Sequence, residues 1–422
     1  MPMRILFLSN FYPPHELGGM GLRCQETLDR LSKRGHACHV LTSEYGVRGR
    51  PAPQGNVTRA LYLQADLYHY RPLDILRRPW RERSNRHELC RVMQEFQPDV
   101  VFVWGMWNLS RTLAHLAEQR MPGRVAYAIA SYWLIEPELH EVYWRQSPRR
   151  RWVEALFAPA RWLVLRALTR ERTAHPLALE QVACVSEYVR RKLGDADALP
   201  HGARVIYNGI DPQPFLATPV RQAPRNEEMQ LIYTGGILAQ KGVYTAVEAM
   251  GLLRQRGKAA NLTLTVVGSG HPEYEAYLKE RVSQLGLDAS VTFCERVPRE
   301  QIPGLLNDAD VFLFTSVWEE PLARSVMEAM AAGLAVLATP VGGQSEMLEN
   351  EVNALIFPPG DAEALASCIQ RVRDDPNLRV RLGKAGRETV LERFTLERMV
   401  DSIEAWLEAI IRQDLKSPCE IG

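Results

Sequence analysis

Residues 318–333 read WEEPLARSVMEAMAAG and follow the apolar run VFLF at 311–314. The run has the character of a buried strand, and the segment from Arg324 to Ala332 has that of a helix. Between them lies a short turn carrying Glu319, Glu320 and Pro321. A strand that enters a helix through a tight turn leaves the first backbone N–H groups of the helix without partners, a ready cradle for a phosphate. Glu320 and Glu328 bracket that helix start.

The same rhythm extends in both directions. Toward the N-terminus, strand-like runs at 3–8, 39–42, 100–104, 125–129 and 181–185 alternate with helical patterns at 23–34, 86–96 and 110–119. In the second half, runs at 230–233, 262–267, 291–293, 311–314, 335–338 and 354–357 alternate with helices expected at 243–254, 272–285, 299–307 and 362–372. Alternating strands and helices predict an α/β chain with largely parallel, doubly wound sheets. The polar, proline-rich stretch around 209–228 is the expected linker between a first domain (1–208) and a second (229–395). The amphipathic helix expected at 396–411, within a terminal segment 396–415, needs an apolar partner that the first domain can supply.

Composition is that of a globular protein, 46% apolar and 24% charged over 422 residues, enough chain for two cores. Its seven cysteines form no C-x-x-C pair, which argues against a disulfide framework or a zinc site. MPMRILFLSNFYPP at the N-terminus has too short an apolar run for a signal peptide, and the chain has no uninterrupted apolar run long enough to span a bilayer. The expected location is cytoplasmic, with peripheral attachment to the cytosolic membrane face as a further possibility. Residues 1–205 carry 30 Lys and Arg against 20 Asp and Glu, hence +10, and the remainder 21 against 30, hence −9. Opposite signs suggest different partners for the two halves. RRRWVEALFAPARWLVLRALTRER (149–172) and RRPWRER (77–83) have the composition of segments that lie on an anionic membrane surface. The plainer reading is a long helical excursion with solvated arginines and an apolar face buried in the core.

PPHELGGMGLR at 13–23 fails as a dinucleotide fingerprint, because the third glycine would fall on Cys24. It remains a glycine loop able to admit a ligand to its backbone. In LIYTGGILAQKGVYTAVEAM (231–250), Lys241 stands at a helix start, where it projects toward the carboxyl edge of the sheet. Arg324 and Glu328 oppose the helix dipole in the less favourable i,i+4 order, so a local ion pair explains them poorly. An anion at the helix start would explain Arg324, and a hydroxyl-bearing ligand group Glu328.

Together GGILAQKG (235–242), LTVVGSG (264–270), WEEPLARSVMEAMAAG (318–333), PVGGQSE (340–346) and NALIFPPGDAEALA (353–366) resemble the retaining GT-B-type glycosyltransferases of family 4. The resemblance spans nearly all of 228–400. The first half agrees more loosely, through its glycine loop, SYW (131–133), CVSEYVRRKL (184–193) and NGID (208–211). It implies two Rossmann-like domains facing across a cleft, with the terminal helix returning to the first. The first domain holds a saccharide or lipid-linked acceptor, and the second a nucleotide diphosphate sugar. By resemblance, Glu328 accepts from the ribose hydroxyls, and Lys241 neutralises the diphosphate with backbone N–H groups of Leu322, Ala323 and Arg324. Glu320 lies beside the transferred sugar as the catalytic candidate. Gly235 and Gly236 line the donor, Gly18 and Gly19 approach it from the first domain, and Arg296, Val297 and Gly343 lie near the base or the sugar. No Asp-x-Asp pair stands at the carboxyl end of a strand, Asp308-x-Asp310 lying before its strand, so neither metal nor cofactor is expected; no nucleic acid partner is expected either. The chain departs from the family at Gly236, where an arginine is usual, at Ala323 for glycine, at Ala130-Ser131 before the Tyr-Trp pair, and at Glu295 for glycine. These departures keep a second reading alive, a catalytically silent nucleotide-sugar-binding or scaffold subunit.

Overall fold

Two parallel sheets organise the computed structural model, which describes residues 1–15, 18–47, 55–66, 70–71, 73–146, 151–200, 202–216 and 228–414. The first contains β1 (Arg4–Ser9), β2 (Ala37–Ser43), β3 (Val57–Leu61), β4 (Val100–Gly105), β5 (Val125–Ile129), β6 (Gln181–Cys184) and β7 (Arg204–Val205), in the order β3-β2-β1-β4-β5-β6-β7. The second contains β8 (Met229–Thr234), β9 (Leu262–Val267), β10 (Val291–Cys294), β11 (Val311–Phe314), β12 (Ala335–Ala338) and β13 (Leu355–Ile356), in the order β10-β9-β8-β11-β12-β13. Strands covered by helices on both faces read as unbroken apolar runs, which is why β5, β11 and β12 fall where the sequence places them. In each sheet the order reverses after the first strand. This creates a topological switch point between β1 and β4 and another between β8 and β11, the places where open α/β sheets hold ligands.

The chain divides into two compact units, the first comprising residues 1–185, 189–206 and those from 400 onward, the second 186–188 and 207–399. Of the linker expected at 209–228, residues 217–227 lie outside the described residues. Residues 209–216 are no free tether: Ile210 and Phe215 are buried in the second unit's core with Phe312, Val326 and Met330. The final helix, Leu396–Asp414, contributes its later part to the first unit. There Trp406 packs edge-on against Phe102 of β4 at 5.9 Å, and His36 Nε2 lies 2.8 Å from Glu404 Oε1.

The helix expected at 86–96 starts at Asp74, and its first turns are fixed by Arg78, whose guanidinium bonds Glu82 at 3.1 Å, Glu138 at 2.7 Å and Glu171 at 2.8 Å. Glu171 belongs to the helix Arg151–Ala174, where the sequence has its arginine- and tryptophan-rich stretch; residues 149–150 lie outside the described residues. The plainer reading put that helix's apolar face in the core, and the structure differs. No residue of 157–174 is buried, and Phe157, Trp162 and Leu163 are more than half exposed. Among the described residues no helix is long and apolar enough to cross a membrane.

Candidate active site

The second unit brings the sequence candidates to its switch point. After β8 the chain passes Gly235 and Gly236, makes a 3-10 turn at Ala239–Lys241, and enters the helix Val243–Gln255 through Gly242. Gly242 has φ +67°, and an added Cβ would run into the carbonyl oxygen of Thr315, just beyond β11. The two loops are laced together there: Thr315 Oγ1 donates to the Lys241 carbonyl at 3.0 Å, and Val317 N to that of Gln240 at 3.0 Å. The lacing sets the Lys241 ammonium against the carboxylate of Glu320 and 5.6 Å from the Trp318 ring centre. Glu320 is buried at 6% exposure, with Ser316 Oγ 3.1 Å from its Oε1. Burial, and then the nearby Glu320 charge, pushes the Tyr233 phenol upward, and its hydroxyl donates to the Gly236 carbonyl at 2.9 Å.

The loop after β12 closes on the same place. Gly343 N donates to the Glu320 carbonyl at 2.8 Å, and a Cβ at Gly343 would run into the carbonyl of Pro321. The helix Arg324–Ala332 opens with Ala323 in extended conformation and no side-chain cap, so its first N–H groups meet the conditions of an anion cradle. Leu322 beneath them is buried and anchors the turn.

The reading of Arg324 and Glu328 needs correction. Arg324 Nε donates to Glu328 Oε1 at 2.7 Å, the local pair that the dipole argument disfavoured. Burial decides the matter. The Glu328 side chain is 4% exposed and that of Arg324 12%, and an unpaired carboxylate at that depth costs several kcal/mol, against about 0.5 kcal/mol for pair order. Glu328 has a second partner that sequence reasoning missed, Arg299, which bonds it from the 3-10 turn Arg299–Gln301 after β10. Of the residues expected nearby, Val297 packs against the core and Arg296 is exposed. Gly18 and Gly19 lie in the first unit, where Gly18, at φ +73°, precedes the helix Gly19–Lys33. Among the described residues, no group of three or more His, Cys, Asp or Glu is placed to hold a metal ion.

Comparison with known proteins matches two families in succession, glycosyltransferase family 4 over residues 17–214 and glycosyl transferases group 1 over residues 218–389. The 2-deoxystreptamine glucosyltransferase of Streptomyces kanamyceticus is 30% identical over 265 residues, 58% of this chain and 67% of that one. The chain belongs to glycosyltransferase family 4. A second relative of this glycosyltransferase, an uncharacterized one from Methanocaldococcus jannaschii, is 28% identical over 229 residues, 52% of this chain and 57% of its own. The chain thus spans between about half and two thirds of the length of these relatives. The fold agrees with HepE of Anabaena, solved in complex with UDP, at a TM-score of 0.68 and 18% identity over 96% of this chain and all of that one. The two Rossmann-like units of the glycosyltransferase are those of the GT-B architecture.

Proposed function

We propose that the protein transfers a sugar from a nucleotide diphosphate sugar to a saccharide or lipid-linked acceptor, with retention of anomeric configuration and without a metal ion. The observation that carries this reading is the Lys241–Glu320 pair at the β8/β11 switch point, beside an uncapped helix start that holds Glu328 buried one turn in. Departure of a nucleoside diphosphate builds negative charge on the leaving oxygens. Lys241 and the N–H groups around Leu322, Ala323 and Arg324 supply fixed positive charge and dipoles there. Glu328 accepts from the ribose hydroxyls, and Glu320 orients the sugar. The acceptor oxygen attacks the anomeric carbon on the face from which the diphosphate leaves. The bond from carbon to phosphate oxygen breaks, and the acceptor proton passes to the departing phosphate. UDP bound in HepE supports a nucleoside diphosphate as the ligand class.

A thermal-shift screen against UDP-, GDP- and ADP-sugars, followed by a transfer assay on a mixed saccharide and lipid acceptor pool, tests the reading. One nucleotide class stabilises the protein and its sugar appears on an acceptor with the anomeric configuration kept. Stabilisation without transfer would leave the silent binding subunit in its place, the outcome that Gly236 and Ala130-Ser131 make worth testing.

The proposal extends to location, a cytoplasmic protein peripheral on an anionic membrane. The exposed Trp162 with Arg166 stacked on it at 4.9 Å supports this, as do exposed Leu76 and Trp80 beside Arg77. Vesicles containing anionic lipid should carry the protein upward in flotation at low salt and release it at high salt; flotation indifferent to lipid charge would refute the attachment.

A further inference from the structure

Glu328 is held from two sides, and the side that the helix does not supply is the informative one. Arg324 lies one turn before it on the same helix and donates through Nε to Oε1 at 2.7 Å. Arg299 comes from 29 positions away in sequence, donating Nη2 to Oε1 with Nη1 3.4 Å from Oε2. Its backbone has little freedom. Val297 before it and Ile302 and Leu305 after it pack onto the core that includes Val326 and Met330 of the Glu328 helix. Oε1 is thus occupied by two charged donors, while Oε2, with only the longer contact from Arg299, has room to accept a ligand hydroxyl.

We propose that Arg299 is a positioning residue that turns the Glu328 carboxylate so that Oε2 faces the nucleoside ribose, and so sets the preference for ribose over deoxyribose donors. The inference rests on the assignment of Glu328 to the ribose. A carboxylate held by Arg324 alone can rotate about its last torsion, which is broad and roughly two-fold. The second guanidinium fixes the plane, because its fork engages both oxygens. Arg299 is itself 37% exposed on its side chain, so its removal opens no core cavity.

The test compares UDP with 2′,3′-dideoxy-UDP by calorimetry, with the GDP and ADP pairs run alongside, on wild type, Arg299→Gln, Arg299→Lys, Glu328→Ala and the Arg299→Gln/Glu328→Ala double variant. Wild type should prefer the ribose form by about tenfold or more, the worth of a charge-assisted hydrogen bond. Glu328→Ala should erase that preference and Arg299→Gln remove most of it. Arg299→Lys should restore part, and the double variant should bind no more weakly than Glu328→Ala alone. With donor sugar, Arg299→Gln should raise KM about tenfold and leave kcat within about twofold. Arg299→Gln keeping the full ribose preference while Glu328→Ala loses it would overturn the proposal, as would additive losses in the double variant, which would place Arg299 on the ligand itself. Glu328→Ala keeping the preference would sink the assignment of Glu328 to the ribose, a separate failure.

Discussion

Lys241→Met is expected to weaken nucleoside diphosphate binding by about 100-fold in calorimetry, through loss of a charge-assisted bond in a largely desolvated site. The same change strands Glu320, whose side chain is only 8% exposed and whose pairing with Lys241 is then gone. A carboxylate left there with only the Ser316 hydroxyl as donor destabilises the second unit by about 2–3 kcal/mol, toward the low end for buried pairs because that bond remains and the lysine is itself partly exposed. The two consequences separate in the double variant. Lys241→Met/Glu320→Gln removes both charges, so it should recover most of the stability in denaturant unfolding and none of the affinity. A double variant that binds the diphosphate as wild type does would place the ligand elsewhere.

Gly242→Val should destabilise the second unit by about 3 kcal/mol or more. A β-branched residue is strained at φ +67°, and its Cβ would occupy the position of the Thr315 carbonyl oxygen. For a domain of this size that is a fall in Tm of about 6–12 °C. Gly236→Ala is the matched control in the same loop. A Cβ at Gly236 meets only Leu238, at 3.7 and 3.8 Å, with no positive φ to oppose it, so its unfolding midpoint should stay near that of wild type. Equal losses at the two positions would show that the loop tolerates neither side chain for reasons other than backbone geometry and the contact with Thr315.

The parts of the fold legible in the sequence are those where one force dominates. β9, β11 and β12 are apolar on every residue that reaches the core, so burial alone writes them into the chain. β3 is hidden in the sequence because Arg59 interrupts it; the structure keeps Arg59 there by letting its guanidinium donate to the carbonyls of Tyr12 and Pro13. The helix Pro376–Arg393 is hidden because only Leu378, Leu382, Gly383, Gly386 and Val390 of its eighteen residues are buried, too sparse a stripe to stand out. In the site, the switch-point candidates around Lys241 and Glu320 were readable because each lies next to a strand end. Arg299 was not, since its bond to Glu328 depends on how the turn after β10 packs against the helix after β11. At the Arg324–Glu328 pair burial outweighs the helix electrostatics that a sequence displays.

Trp406 covers Phe102 of β4 from the far end of the chain, and the whole second unit is encoded between them. At typical rates of synthesis, about 5–20 residues per second, roughly 10–40 s separate the emergence of the first unit's sheet from that of the helix that completes it. During that interval the nascent chain carries an uncovered aromatic surface on its first unit while the second is already able to close. The sheet that is made first is therefore the one finished last, and the burden of shielding its surface falls on the period of translation.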